Sequence, residues 1–198
     1  GPGEIAAAYD ATLKAPKCAT LGRSCDSGAS LLLGRNTKGP EPNQPNTINS
    51  SCADGTSGTY HSDESNDRIR VVSVDGTPFA AGKQVRIEAT VWAYSSPASD
   101  KLDLYYAANA NSPTWTLITT LTPSAGGAQT LSATYTLPTG SLQAVRANFR
   151  YNGNIFNNTL QTIAGNTFIP NYDPGYGDPN QLCGMDEDYD ACDLENWF

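Results

Sequence analysis

The clearest structural signal in the chain is the segment Lys83-Gln84-Val85-Arg86-Ile87-Glu88-Ala89-Thr90-Val91-Trp92-Ala93. Polar and apolar residues alternate along it. Because successive side chains of an extended strand point to opposite faces, this alternation predicts a half-buried antiparallel strand. One face carries Val85, Ile87, Ala89, Val91 and Ala93, and the other carries Arg86, Glu88, Thr90 and Trp92.

Similar short segments lie on both sides of this strand. Turn-forming sequences such as Asp75-Gly76 separate them, and no segment shows a convincing helical period. This spacing favours an all-β fold, an antiparallel β-sandwich or jelly roll with long disulfide-stapled loops. The predicted strands cover residues 68–72, 102–107, 114–121, 130–137 and 144–151, with another near residues 7–13.

The chain length of 198 residues fits a single domain of about 100–200 residues. We interpret residues 1–3 as the remnant of a cleaved expression tag and residues 4–198 as one β-sandwich domain cut from a longer chain. We expect residues 152–182 to form a long loop. Residues 183–198 form an acidic segment whose aromatic end, Trp197 and Phe198, predicts a last strand that packs back on the domain.

The net charge of −8 is unevenly distributed. Acidic and basic residues balance over residues 1–150, whereas residues 151–198 contain no Lys or Arg. Nucleic-acid binding requires clustered basic residues, which the sequence lacks, so a nucleic acid is not an expected partner. No apolar run approaches the roughly 18 residues that a membrane span needs, which excludes a transmembrane helix.

The five cysteines predict disulfides and a secreted, extracellular location. Cys18 and Cys25 bracket a short loop that a disulfide could close. Cys52 could then pair with Cys183 or Cys192, which would join the domain to its acidic tail. No C-x-x-C pair occurs, so a zinc ribbon or a thioredoxin-like redox site is not expected.

Two acidic stretches are candidate calcium ligands, because calcium prefers six to eight oxygen atoms from short loops. The first contains Asp63, Glu64, Asn66 and Asp67. The second is the tail, where Asp186-Glu187-Asp188-Tyr189-Asp190 opens like a calcium loop but lacks the glycine that an EF-hand needs. The alternative is that both stretches are solvated acidic surface.

The aromatic residues Trp92, Tyr94 and Trp115 are candidate ligand-binding residues, because exposed rings on a sheet can stack on sugars. Alternation places Trp92 and Tyr94 on the face away from the core, unless that face packs against a second sheet and buries Trp92. A Ser–His–Asp triad is not expected, because His61 is the sole histidine and no G-x-S-x-G sequence occurs. No pair of acidic residues can be singled out from the sequence as the catalytic carboxylates of a glycoside hydrolase.

Several long stretches resemble the non-catalytic β-sandwich domain near the C-terminus of secreted bacterial peptidases of myxobacterial type. The resemblance covers residues 10–151 and resumes around Cys183 and residues 190–194. The stretches that carry it are residues 39–55, 56–69, 89–93, 99–108 and 142–151.

The resemblance implies an accessory domain that accompanies an enzyme and is not itself catalytic. It also implies that Cys52 pairs with Cys183, and that Asp63, Glu64, Asp67, Asp190 and Asp193 are the natural calcium candidates. The chain departs from the family in the long stretch 152–182 and in Cys192.

The sequence therefore predicts a calcium-stabilised, non-catalytic module. It would hold a secreted parent enzyme on a polymeric glycan or an extracellular protein. One alternative is a structural or anchoring domain without a ligand. Another is an independent glycoside hydrolase that uses two carboxylates.

Overall fold

The computed structural model describes residues 1–10, 15–28, 61, 65–112, 114–151 and 193–197. These residues form strands and turns, with a single 3-10 turn at Pro97–Ser99, so the fold is all-β as predicted. None of the described residues belongs to a helix that is long and apolar enough to cross a membrane. In chain order the strands are β1 (Glu4–Ala6), β2 (Ala8–Asp10), β3 (Ala15–Lys17), β4 (Ser24–Asp26), β5 (Ser65–Ser73), β6 (Gln84–Ala93), β7 (Asp100–Ala107), β8 (Thr116–Leu121), β9 (Gly127–Thr136), β10 (Ala144–Tyr151) and β11 (Asp193–Trp197).

The strands form two sheets. The five-stranded sheet has the order β1-β4-β5-β6-β9, and the six-stranded sheet has the order β2-β3-β11-β10-β7-β8. Most neighbours are antiparallel, but β1 pairs with β4 and β11 pairs with β3 in parallel. Within the part of the chain that is described, β9 and β8 are edge strands.

The core lies between the two sheets, because each sheet turns one apolar face inward. The alternation predicted for β6 is confirmed: Val85, Ile87, Ala89 and Val91 have no exposed surface, and Ala93 has 1%. From the other sheet Leu102, Leu104, Val145, Ala147 and Phe149 complete the same core. Burial of such aliphatic and aromatic side chains is the main source of stability in a fold of this kind.

The regular central strands were predicted closely, whereas the three-residue strands β1, β3 and β4 were not predicted. The strand predicted at residues 83–93 spans Gln84–Ala93, and those predicted at 102–107 and 144–151 span Asp100–Ala107 and Ala144–Tyr151. Of the strand predicted near residues 7–13, residues 8–10 form β2, and residues 11–13 lie outside the described part. The predicted last strand is confirmed as β11, which lies between β3 and β10.

The predicted disulfide between Cys18 and Cys25 is confirmed, with an S–S distance of 1.99 Å. Cys18 directly follows β3 of the six-stranded sheet, and Cys25 lies in β4 of the five-stranded sheet. The bond therefore ties the two sheets together at one side of the core. Cys52, Cys183 and Cys192 lie outside the described residues, so their predicted pairing stays a prediction.

Candidate functional site

The candidate site is the outer face of the five-stranded sheet, the face directed away from the core. Strand β6 contributes Arg86, Glu88, Thr90 and Trp92 to this face, as its alternation predicted. The register of the sheet places Arg70 of β5 opposite Glu88 and Thr130 of β9 opposite Thr90. Strand β4 adds Asp26, which lies opposite Arg70. Four strands thus present a row of polar side chains next to one tryptophan.

Two ion-pair groups hold the charged part of the outer face in place. Arg68 donates from Nε to Asp26 Oδ1 at 2.9 Å and from Nη2 to Asp26 Oδ2. Glu88 accepts from Arg70 Nη1 at 2.6 Å and from Arg86 Nε at 3.2 Å. These hydrogen bonds hold the three guanidinium groups in place. Because a guanidinium group has five N–H donors, Arg70 and Arg86 have further donors for other acceptors.

These pairs keep the outer-face carboxylates ionised. Partial burial by itself raises the pKa of Glu88, but the hydrogen bonds from Arg70 and Arg86 outweigh it and lower the pKa below its ordinary value. The pKa of Asp26 is lowered in the same way, because the bonds from Arg68 and from the Gly28 N–H outweigh the effect of burial. Neither carboxylate is poised to donate a proton near neutral pH.

An open groove lies between the ion pairs and the hydroxyl groups of the outer face. It has a volume of about 440 Å³ and is lined by Arg68, Arg70, Glu88, Thr90 and Thr130. Thr90 and Thr130 lie with their hydroxyl oxygens 3.4 Å apart. The lining therefore offers both hydrogen-bond donors and acceptors on an open surface.

Trp92 lies beyond the groove, two residues after Thr90 on the same face of β6. Its ring is half-buried, and the ring of His61 stacks on it with a centroid distance of 4.4 Å and an interplanar angle of 12°. His61 Nε2 lies 2.8 Å from Asp67 Oδ2. The start of β9 also lies close to the Trp92 ring. If Gly127, whose φ is +89°, carried a Cβ atom, that atom would lie 4.0 Å from Trp92 Cη2.

The three predicted aromatic residues are not brought together. Tyr94 follows β6 and is 41% exposed, which fits its predicted place on the outer face. Trp115 is only 8% exposed and packs in a small cluster on the six-stranded sheet with Tyr105 and Ala144. The guanidinium carbon of Arg146 lies 4.0 Å from the centroid of the Trp115 ring. The expectation that Trp115 presents an exposed ring is therefore wrong, because its own neighbours cover it.

Three of the six predicted calcium ligands lie outside the described residues, namely Asp63, Glu64 and Asp190. Asn66 is fully buried in β5, and Asp67 lies at an irregularity of the β5–β6 pairing, beside His61. Asp193 opens β11 in the other sheet, opposite Asn148. Among the described residues no three His, Cys, Asp or Glu side chains converge as a metal site would require. Calcium binding stays a prediction.

The sequence indicated which residues β6 contributes to the outer face, but not which residues the neighbouring strands contribute. The alternation of β6 revealed Glu88, Thr90 and Trp92, and the same reasoning applied to Arg68-Ile69-Arg70-Val71 would have added both arginines. Asp26 carried no such signal, because its place depends on the pairing of β4 with β5. Comparisons of the chain with protein-family models and with curated protein sequences find no match.

Proposed function

We propose that this domain is a non-catalytic binding module that holds a secreted enzyme on a polymeric substrate, and that the substrate is a glycan. The observation that carries the proposal is the combination on the outer face of one flat aromatic ring, Trp92, and a neighbouring groove of fixed polar side chains. Glycan binding uses this combination, because the C–H face of a sugar packs on an aromatic ring while its hydroxyl groups need donors and acceptors.

The shape of the groove also favours a polymer. The groove is open to solvent rather than enclosed, so a bound chain could extend beyond it. Small-molecule sites are instead concave and bury most of their ligand.

The charge state of the groove supports binding over hydrolysis. A glycosidase needs one carboxylic acid that is protonated near neutral pH. Among the described residues that line the groove, Glu88 is the carboxylate, and its two arginine partners hold its pKa below the ordinary value. These lining residues therefore offer no carboxylic acid as the proton donor for hydrolysis.

The remaining parts of the proposal follow from the sequence. The two sheets around one core support the β-sandwich or jelly-roll architecture that the family resemblance implies. The disulfide between Cys18 and Cys25 supports an oxidising, extracellular location. Calcium would serve to stabilise the loops that contain the predicted acidic ligands.

The proposal is tested by depletion assays on insoluble polysaccharides with three variants. Trp92→Ala and Arg70→Gln should each weaken retention at least tenfold, because they remove the stacking surface and a donor of the groove. Lys83→Gln is the matched control, since Lys83 also forms an ion pair, with Asp75 Oδ2 at 2.9 Å, but at the opposite end of β6.

Retention by the Lys83→Gln variant should equal that of the unchanged domain. Equal retention by all three variants would show that the outer face is not the binding surface. Release of soluble sugar during the assay would favour the hydrolase instead.

A further inference from the structure

Strands β8 and β9 form an open edge of the molecule, where both sheets end on the same side. Within the described residues, β9 is hydrogen-bonded only to β6, and β8 only to β7. We define this pair of strands, residues 116–121 and 127–136, as the open edge. Edge strands carry a row of unpaired backbone N–H and C=O groups, so they can pair with another strand.

The side chains show that the open edge faces solvent. The inward-facing residues of the central strand β6 are fully buried, whereas Leu131 and Ala133, which face inward from β9, are only partly buried. Ile118 and Leu121 of β8 are also partly buried against the core. The apolar side chains that the two edge strands turn toward the core are therefore covered less completely than those of the central strands.

The usual protection of an edge strand is missing from β9. Proteins commonly place a lysine, a proline or an inward-pointing charge on a long edge strand to prevent pairing. Gly127–Thr136 contains none of these, although it is one of the two longest strands of the structure. No Asp, Glu, Lys or Arg occurs anywhere between Asp103 and Arg146, a segment that includes the whole open edge.

We propose that the open edge is the interface for a second copy of this chain, formed by antiparallel pairing of β9 with its own copy. The absence of charge on β9 suits this partner, because an identical strand then places no like charge opposite. Two copies with a net charge of −8 repel each other, and an uncharged segment lets them approach without placing like charges in contact. An antiparallel pair of identical strands also gives the closed twofold symmetry that is commonest among homodimers.

The pairing has a definite geometry. In an antiparallel pair, residues directly opposite each other point to the same face, so the twofold axis passes midway between one residue of β9 and the same residue of its copy. If that residue is Ser132, near the middle of β9, then Ser132 faces its own copy, and Thr130 faces Thr134 of the second copy. These outward-facing residues are all exposed. Hydroxyl pairs of this kind are favourable across strands.

The dimer would also join two binding faces. Both five-stranded sheets would become one continuous sheet with the two outer faces on the same side. Trp92 lies opposite Ala128, four residues from Ser132 along β9. The two Trp92 rings would then lie about 30 Å apart, from three strand spacings of about 4.8 Å and eight residues of about 3.4 Å. Such an arrangement would allow two-point attachment to one polymer. The dimer itself does not depend on the proposed function.

The test is sedimentation velocity of the domain over a range of concentrations, with Ser132→Lys and Ser112→Lys as a matched pair. Both serines are exposed, and both changes alter the net charge equally, but only Ser132 lies on β9. We expect a dimer for the unchanged domain and for Ser112→Lys. Ser132→Lys should be monomeric, because it places two lysines opposite each other at the axis.

Circular dichroism and thermal unfolding would establish that the Ser132→Lys variant folds, and Thr134→Lys provides a second variant with the same expected result. A monomer at every concentration for the unchanged domain would overturn the proposal. An unchanged dimer in both β9 variants would overturn it equally, because the interface would then lie elsewhere.

Discussion

Trp92 and Trp115 lie in different surroundings, although the sequence marked both as candidate binding residues. Trp92 lies on the outer face with one side of its ring against His61. Trp115 is buried beside the six-stranded sheet, with the guanidinium of Arg146 over its ring. A partly exposed ring can contribute to binding without supporting the fold, whereas a buried ring supports the fold first. The two tryptophans should therefore respond differently to truncation.

Trp115→Ala should lower the free energy of unfolding by about 3–5 kcal/mol, as loss of a buried aromatic side chain usually does. It removes the contacts with Tyr105 and Ala144 and leaves the buried Arg146 without its ring partner. Urea unfolding followed by tryptophan fluorescence and circular dichroism measures the change. A loss below about 1 kcal/mol would mean that the ring is not part of a packed cluster.

The ion pairs of the outer face predict a loss of stability in acid. The pKa values of Asp26 and Glu88 are lower in the folded chain than their ordinary values of 3.8 and 4.5. A carboxylate with a lowered pKa stabilises the folded state above its unfolded pKa, and this contribution is lost as the pH falls through the folded pKa. The free energy of unfolding should therefore decrease as the pH falls below about 4.5.

Asp26→Asn should make that decrease shallower, because an amide at position 26 no longer titrates. The variant should also be less stable than the unchanged domain at pH 7, since Arg68 loses its two carboxylate acceptors. Chemical unfolding at a series of pH values compares the two proteins. Parallel stability curves would contradict the assigned role of the Asp26–Arg68 pair.

Among the strands, those with a repeating pattern of polar and apolar residues could be predicted from the sequence. Short strands that are held by pairing with distant strands could not. The two-residue period was clear in β6 because every second side chain enters the core. β3 and β4 have three residues each, too few for a period, and β4 exists through its pairing with β5 and its parallel pairing with β1. Their positions could not be read locally, and neither could the contact between Asp26 and Arg68.

The disulfide between Cys18 and Cys25 is a covalent link between the two sheets, and its removal should lower the stability of the domain. Cys18→Ala combined with Cys25→Ala should reduce the free energy of unfolding by roughly 2–3 kcal/mol, the value expected for a short closed loop. The loop joins residues separated by seven positions. Thermal unfolding under non-reducing conditions measures the loss.

The matched control for the disulfide variant is the single change Ala19→Ser, at an exposed position in the same loop, which should leave stability nearly unchanged. A double variant as stable as the unchanged domain would show that sheet packing alone holds β3 and β4 in place. A variant that fails to fold would show that the link contributes more than its loop entropy.

At the scale of the whole molecule, the charged residues and the uncharged ones occupy different parts of the surface. Arginine and carboxylate pairs lie on β4, β5 and β6, whereas β8 and β9 carry hydroxyl and apolar side chains. Trp92 lies where the two parts meet, because its neighbours are Ser65 on β5 and Ala128 on β9. The groove proposed to bind a polymer and the edge proposed to pair with a second copy lie side by side and share Thr130 of β9.

The measurement that tests the central proposal most directly is a pull-down of the domain with insoluble polysaccharides and extracellular matrix proteins, in calcium and again in EDTA. We predict retention on a polysaccharide, and loss of retention for Trp92→Ala in the same buffer. Weaker retention in EDTA would show that calcium contributes to binding. Retention on none of the polymers in either buffer would contradict the binding function and favour a structural domain, and retention on matrix protein alone would contradict the choice of a glycan.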